Sequence, residues 1–174
     1  MLQRKGKIFL VGMMGSGKTT LGKRVAREIG MSFIDLDREI ERRTGVSVGT
    51  IFEFEGEAGF RARESHLLKE ICQSDGGACI VATGGGVVLS PLNRARLQAC
   101  GYVIYLHALP NLLYARTKTD RGRPLLQVED PFAKIVELVA RRDPLYREVA
   151  DIVIEAGQEM TTSIAQIVAS ISKE

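Results

Sequence analysis

Residues 12–19 read GMMGSGKT, and residues 33–40 read FIDLDREI. The first stretch matches G-x-x-x-x-G-K-[ST]. In that pattern glycines let backbone N–H groups curl around phosphate oxygens, and the helix that follows offers its positive N-terminus. Lys18 is then placed to reach the β- and γ-phosphates of a nucleotide and Thr19 to hold Mg2+. An apolar run in front and a helical pattern behind give the strand–loop–helix context that separates this motif from a glycine turn with a surface lysine. The second stretch carries two carboxylates, Asp35 and Asp37, where an apolar run gives way to charge. Ligands of parallel α/β sheets sit beyond the carboxyl ends of the strands. Residues i and i+2 of a strand share a face, so both acids are expected to look toward the γ-phosphate, one at a metal's water shell and one further out, where an acceptor hydroxyl would sit. Asp37 has a competing role as N-cap of the helix that continues REIERR. A third stretch, ATGGGVV (82–88), sets Gly84, Gly85 and Gly86 after another apolar run, where a ligand can approach the backbone closely and N–H groups can receive an anion.

These groups need a scaffold, and the chain supplies one. Short apolar runs at 7–12, 32–36, 78–83, 102–107 and 151–156 read as strands buried on both faces, and they alternate with helical patterns. That alternation predicts an α/β fold with a parallel sheet covered by helices. Helices are expected over 17–29, 37–44, near 57–74, and over 91–99, 110–118, 131–148 and 160–172, the first two closed by Gly30 and Gly45. The interval between the second and third strands exceeds one crossover helix, so 37–77 is expected to hold a helical insertion. TDRGRPLLQVEDP (119–131) reads as a long loop.

Composition narrows the function classes. A chain of 174 residues, 45% hydrophobic and 26% charged, suits one globular domain. A net charge of +3 is too small to argue for nucleic acid, while an excess of arginine over lysine favours forked recognition of carboxylates and phosphates. Cys72, Cys79 and Cys100 are odd in number and lack C-x-x-C spacing, which suggests neither a disulfide framework nor a zinc site and fits reduced thiols in a cytosol. His66 and His107 are too far apart for a helical metal pair. The start, MLQRKGKIFLVG, has too short an apolar run for a signal peptide, and no segment reaches transmembrane length. The D-x-x-G and N-K-x-D elements of switch GTPases are missing from their expected places, which leaves a small-molecule kinase as the favoured class.

In order along the chain, GMMGSGKTT, DLDREIERRTG, IFEFEGEAGFRARE, TGGGVV, RGRPLL and RRDPLYREVA follow the pattern of one family: from about residue 7 to 172 the sequence resembles the shikimate kinases. The resemblance implies a single domain over 1–174 with a three-layer P-loop kinase fold. Its parts would be a central five-stranded parallel sheet, a helical substrate-binding region over 37–77 and a mobile lid over 118–131. The implied reaction transfers the γ-phosphate of ATP to the 3-hydroxyl of shikimate, with Mg2+, on the chorismate and aromatic amino-acid pathway. The implied setting is a cytoplasmic monomer without nucleic-acid or membrane partners. By the same resemblance ATP is held by Gly12, Gly15, Ser16, Gly17, Lys18, Thr19 and Thr20, with Arg116 packed on the adenine and Arg123 on the lid. Asp37 binds the acceptor hydroxyl, and Asp35 acts on magnesium through water beside Thr19. Arg61 and Arg142 hold the carboxylate next to Gly84, Gly85 and Gly86, with Glu64 orienting the arginines and Phe52 and Phe60 lining the pocket. Lys18, Asp37 and Arg123 are the catalytic set. Two other readings compete: a P-loop kinase for a different polyol acid such as gluconate, and a nucleotide-binding protein that has lost catalysis.

Overall fold

The structure, a computed structural model, describes residues 6–172; the basic start of the N-terminal stretch lies outside the described residues. Five strands, β1 (Lys7–Val11), β2 (Ser32–Asp35), β3 (Cys79–Ala82), β4 (Tyr102–His107) and β5 (Ile152–Glu155), pair in parallel in the order β2-β3-β1-β4-β5. Among the described residues seven α-helices connect or follow them: α1 (Lys18–Ile29), α2 (Leu36–Thr44), α3 (Val48–Gln73), α4 (Pro91–Cys100), α5 (Pro110–Thr117), α6 (Pro131–Val149) and α7 (Met160–Ile171).

Alternation along the central strands makes two cores. Phe9, Val11, Val81, Val103 and Tyr105 face α3, α4 and α6 through Leu68, Leu97, Ile135, Leu138 and Tyr146. Ile8, Leu10, Ile80, Ile104 and Leu106 face α1 and α7 through Leu21, Val25, Ile167 and Ile171. A sheet covered on both faces explains why its inner strands read as unbroken apolar runs. Among the described residues no helix is long and apolar enough to cross a membrane.

Two expectations need correction. The sequence pattern shows only the second limb of α3, near 57–74, whereas the helix begins at Val48 and bends at Gly56 (φ 70°, ψ −179°). The hidden limb, VGTIFEFE, alternates β-branched and aromatic residues with acids, a strand-like pattern. It is helical because the Ser47 hydroxyl caps it at the Thr50 N–H and because Ile51 is buried in the core. The second correction concerns the acids. β2 stops at Asp35, so Asp37 belongs to the first turn of α2 and the strand rule for i and i+2 does not bring the two together. The cap of α2 is Asp35 rather than Asp37: Asp35 Oδ1 accepts from the N–H groups of Asp37 (3.1 Å) and Arg38 (3.2 Å).

Candidate active site

The carboxyl ends of the strands open into one cleft of about 1100 Å3. The P-loop leads from β1 into α1. Gly17, the residue before α1, supplies no side-chain cap, and no acid occupies the first turn, so the helix N-terminus is left to a ligand. Lys18 is buried and donates to the carbonyls of Gly12 and Met13, both at 2.8 Å. Burial lowers its pKa to about 8, against the opposing charge of Asp37. Arg116 on α5 reaches back to the same loop, donating from Nη1 to the carbonyls of Ser16 (3.0 Å) and Gly15 (3.3 Å).

Thr19 and the β2 end meet directly. The Thr19 hydroxyl donates to Asp35 Oδ2 at 2.5 Å, while Oδ1 of the same carboxylate caps α2. The cap therefore fixes Asp35 beside the P-loop. Asp37, one step into the helix, turns Oδ1 into buried space without a partner. Burial raises its pKa, and the neighbouring charge of Asp35 adds to the rise.

Across the cleft α3, α6 and the glycine loop converge. Arg61 Nη1 donates to Glu64 Oε1 at 3.0 Å and Nη2 meets Glu57 Oε1 at 3.3 Å; the Arg61 guanidinium also lies 5.3 Å from the Phe60 ring centre. Phe60 and Phe52 pack with centroids 5.0 Å apart. Glu64 is fully buried, and desolvation raises its pKa to about 7 despite the charge of Arg61. Arg142 is only 2% exposed, and its Nε and Nη1 have no partner; Glu64 Oε2 is likewise unpartnered.

Glycine is required here by proximity. A Cβ on Gly86 would sit 2.2 Å from Arg61 Cζ, and one on Gly84 would sit 2.3 Å from Glu64 Oε2. The side chains struck are the long ends of Arg61 and Glu64, so a methyl group would push the guanidinium and carboxylate aside rather than break the backbone.

The cleft is thus lined by Gly15, Ser16, Gly17, Thr20, Phe52 and Phe60 together with Lys18, Thr19, Asp35, Asp37, Arg61, Gly84, Gly85, Gly86, Arg116, Arg123 and Arg142, whereas Gly12 and Glu64 do not line it. Arg123 reaches the cleft from the loop after α5, which contains a short 3₁₀ turn (Pro124–Leu126) anchored by buried Leu126. Its Nε donates to Asp120 Oδ2 at 2.8 Å. On the far wall Ala156, Gly157, Gln158 and Met160 line the same cleft, within the 155–162 stretch. Sequence reasoning passed over Asp120, Glu57 and Tyr146; the available signal for Tyr146 was its place one helical turn beyond Arg142 in RRDPLYREVA.

A P-loop at the head of a parallel sheet, facing a pocket built from arginines and a glycine loop, defines a small-molecule kinase. The shikimate kinase family model matches residues 14–172, and the chain belongs to that family, as an ATP-dependent kinase acting on shikimate. A shikimate kinase of Aromatoleum aromaticum is 57% identical over 151 residues, 87% of this chain and 85% of that one. The structure titled shikimate kinase from Acinetobacter baumannii in complex with shikimate superimposes with a TM-score of 0.89 at 46% identity, covering 96% of this chain and 92% of that one. A gluconokinase from Sinorhizobium meliloti shares the fold at a TM-score of 0.59 and 14% identity, over 98% of this chain and 93% of that one.

Proposed function

We propose that the cleft binds ATP on the P-loop and shikimate between Arg61, Arg142 and the Gly84–Gly86 loop, and passes the γ-phosphate to the 3-hydroxyl held by Asp37. The observation that carries this reading is Arg142, a buried guanidinium with two nitrogens, Nε and Nη1, unmet beside a backbone loop that can offer more donors. A buried cation with unsatisfied donors calls for an anion, and a planar carboxylate suits a guanidinium fork. Glu64 holds Arg61 at the second corner of that clamp. Asp37, with an unpartnered oxygen, accepts the acceptor hydroxyl and aims it at the phosphorus. Lys18 exchanges the Gly12 and Met13 carbonyls for phosphate oxygens, and Arg123, on the proposed lid over 118–131, brings a second positive charge from the other side. Arg116, already fixed against the P-loop carbonyls, offers a flat face for the adenine.

The donor set fits Mg2+. The Thr19 hydroxyl and Asp35 carboxylate form an oxygen pair beside the P-loop, and among the described residues no cluster of three or more His, Cys, Asp or Glu forms a protein cage. A cation ligated largely by water and phosphates needs no such cage. When bound, Mg2+ neutralises charge on the phosphates; Thr19 would ligate it and Asp35 would hold its water.

Arg142→Ala tests the pocket. The expected result is a KM for shikimate raised at least about a hundredfold, with the KM for ATP within about threefold of the parent, because the lost contact is a charge-assisted pair to the acid alone. A variant in which ATP affinity falls and shikimate affinity does not would reassign Arg142.

Lys18 gives a pH test with a definite sign. In the free protein its pKa is about 8; facing phosphates, the charged form is favoured and the pKa rises. Its contribution to ATP affinity is therefore complete below pH 8 and declines as pH rises beyond it, and binding at about pH 9 takes up a proton. Calorimetry in two buffers of different ionisation enthalpy should show that uptake at about pH 9 and almost none at about pH 6.5. Equal proton exchange at both would mean that Lys18 stays charged in the empty site.

A further inference from the structure

Tyr146 is fully buried on α6 and lines no part of the cleft, yet its hydroxyl donates to the carbonyl of Gly85. We propose that Tyr146 is a positioning residue for the acid substrate: by tying back the Gly85 carbonyl it keeps the Gly86 N–H turned into the pocket between Arg61 and Arg142. The proposal rests on the reading of the acid pocket given above.

The three loop carbonyls are all committed. Gly84 accepts from the Val87 N–H at 3.2 Å and Gly86 from the Leu89 N–H at 3.1 Å, both within the 3₁₀ turn Val87–Leu89 that follows. The Gly85 carbonyl takes no part in that turn and is held by Tyr146. A trans peptide unit points its C=O and the next N–H in opposite directions. Anchoring the Gly85 carbonyl on Tyr146 therefore turns the Gly86 N–H away from that hydroxyl, and Gly86 itself stands at the acid pocket, its Cβ position lying against the Arg61 guanidinium. Gly85 also abuts both halves of the site, its Cβ position lying 3.4 Å from Arg142 Nη1 and 3.3 Å from the Met14 N of the P-loop.

Glycine peptides rotate with little steric resistance. Without the tyrosine hydroxyl the Gly85–Gly86 unit is free to turn its carbonyl dipole inward, where it repels a carboxylate. Helical spacing makes one element responsible for both parts: Arg142 and Tyr146 are one turn apart on α6, so the donor to the acid and the anchor of the loop move together. Tyr146 itself is held by the Tyr105 ring, 4.9 Å away with the planes inclined by 29°, and the Tyr105 hydroxyl donates to Asp143 at 2.8 Å. The Tyr146 hydroxyl also interacts with the Arg142 side chain, so the same group that anchors the loop steadies the arginine beside it.

The test compares Tyr146→Phe with Tyr105→Phe, each of which removes one hydroxyl and leaves the stacked rings. The expected result is that Tyr146→Phe raises the KM for shikimate about tenfold and leaves the KM for ATP within about twofold, while Tyr105→Phe lowers Tm without moving either KM. The loss should be confined to the charged acid: the methyl ester of shikimate, which lacks the carboxylate, should bind parent and Tyr146→Phe with the same affinity. The proposal is overturned if Tyr146→Phe lowers Tm and leaves the KM for shikimate unchanged, or if acid and ester lose affinity equally. Arg142→Ala run alongside separates the two levels. If it raises the KM for shikimate and Tyr146→Phe does not, only the role of Tyr146 falls; if neither variant moves that KM, the acid pocket falls and the proposal with it.

Discussion

Lys18→Met is expected to fold and to turn over about three orders of magnitude more slowly than the parent. The fold survives because the methionine keeps an apolar stem in a buried position, and the charge it removes was held at a desolvation cost that already lowers the lysine pKa to about 8. Catalysis does not survive, because the group lost is the buried cation at the head of α1, where the low dielectric makes each charge on a transferring phosphoryl group count most. A circular-dichroism melt alongside kcat checks both halves. Near-parental turnover in a folded variant would contradict the placement of the nucleotide.

Asp37→Asn is expected to cost about two to three orders of magnitude in kcat, whereas Asp35→Asn shows chiefly as a raised Mg2+ requirement. The two acids are neighbours with different surroundings. Asp35 spends one oxygen on the cap of α2 and the other on Thr19, and asparagine is a good N-cap, so its substitution keeps α2 and weakens only the hold on the ion's water. Asp37 has an oxygen with no protein partner, and an amide there can orient a hydroxyl but supplies neither negative charge nor a place for its proton. Burial raises the Asp37 pKa, so the ionised form, and with it the rate, is lost as pH falls at a higher pH than for an ordinary aspartate. Turnover against free Mg2+ separates the roles: excess Mg2+ rescuing Asp37→Asn but not Asp35→Asn would reverse them.

The parts legible in the sequence share a property: their chemistry is local. The P-loop is eight consecutive residues, and the inner strands are apolar runs because helices cover both faces of the sheet. The mouth of β2 holds both Asp35 and Asp37, but a helix cap rather than strand alternation sets them there, and a cap of that kind cannot be told from strand alternation by an i, i+2 spacing alone. The strand-like limb of α3 was invisible because a serine cap and the burial of Ile51 override its propensity. Arg61 and Arg142 lie on different helices and far apart in sequence, so spacing cannot pair them; in the fold Arg61 stands against Gly86 and Arg142 against Gly85 of one loop. Tyr146 carried no motif of its own, being one aromatic on an amphipathic helix.

The most direct measurement is the reaction itself. The purified protein is mixed with ATP, Mg2+ and either shikimate or gluconate, and followed by phosphorus and proton NMR, which shows both whether ATP is consumed and which oxygen receives the phosphate. Shikimate 3-phosphate and ADP are expected in equal amounts, with gluconate untouched. Phosphorylation of gluconate in preference, transfer to a different hydroxyl of shikimate, or ATP hydrolysis without transfer would contradict it.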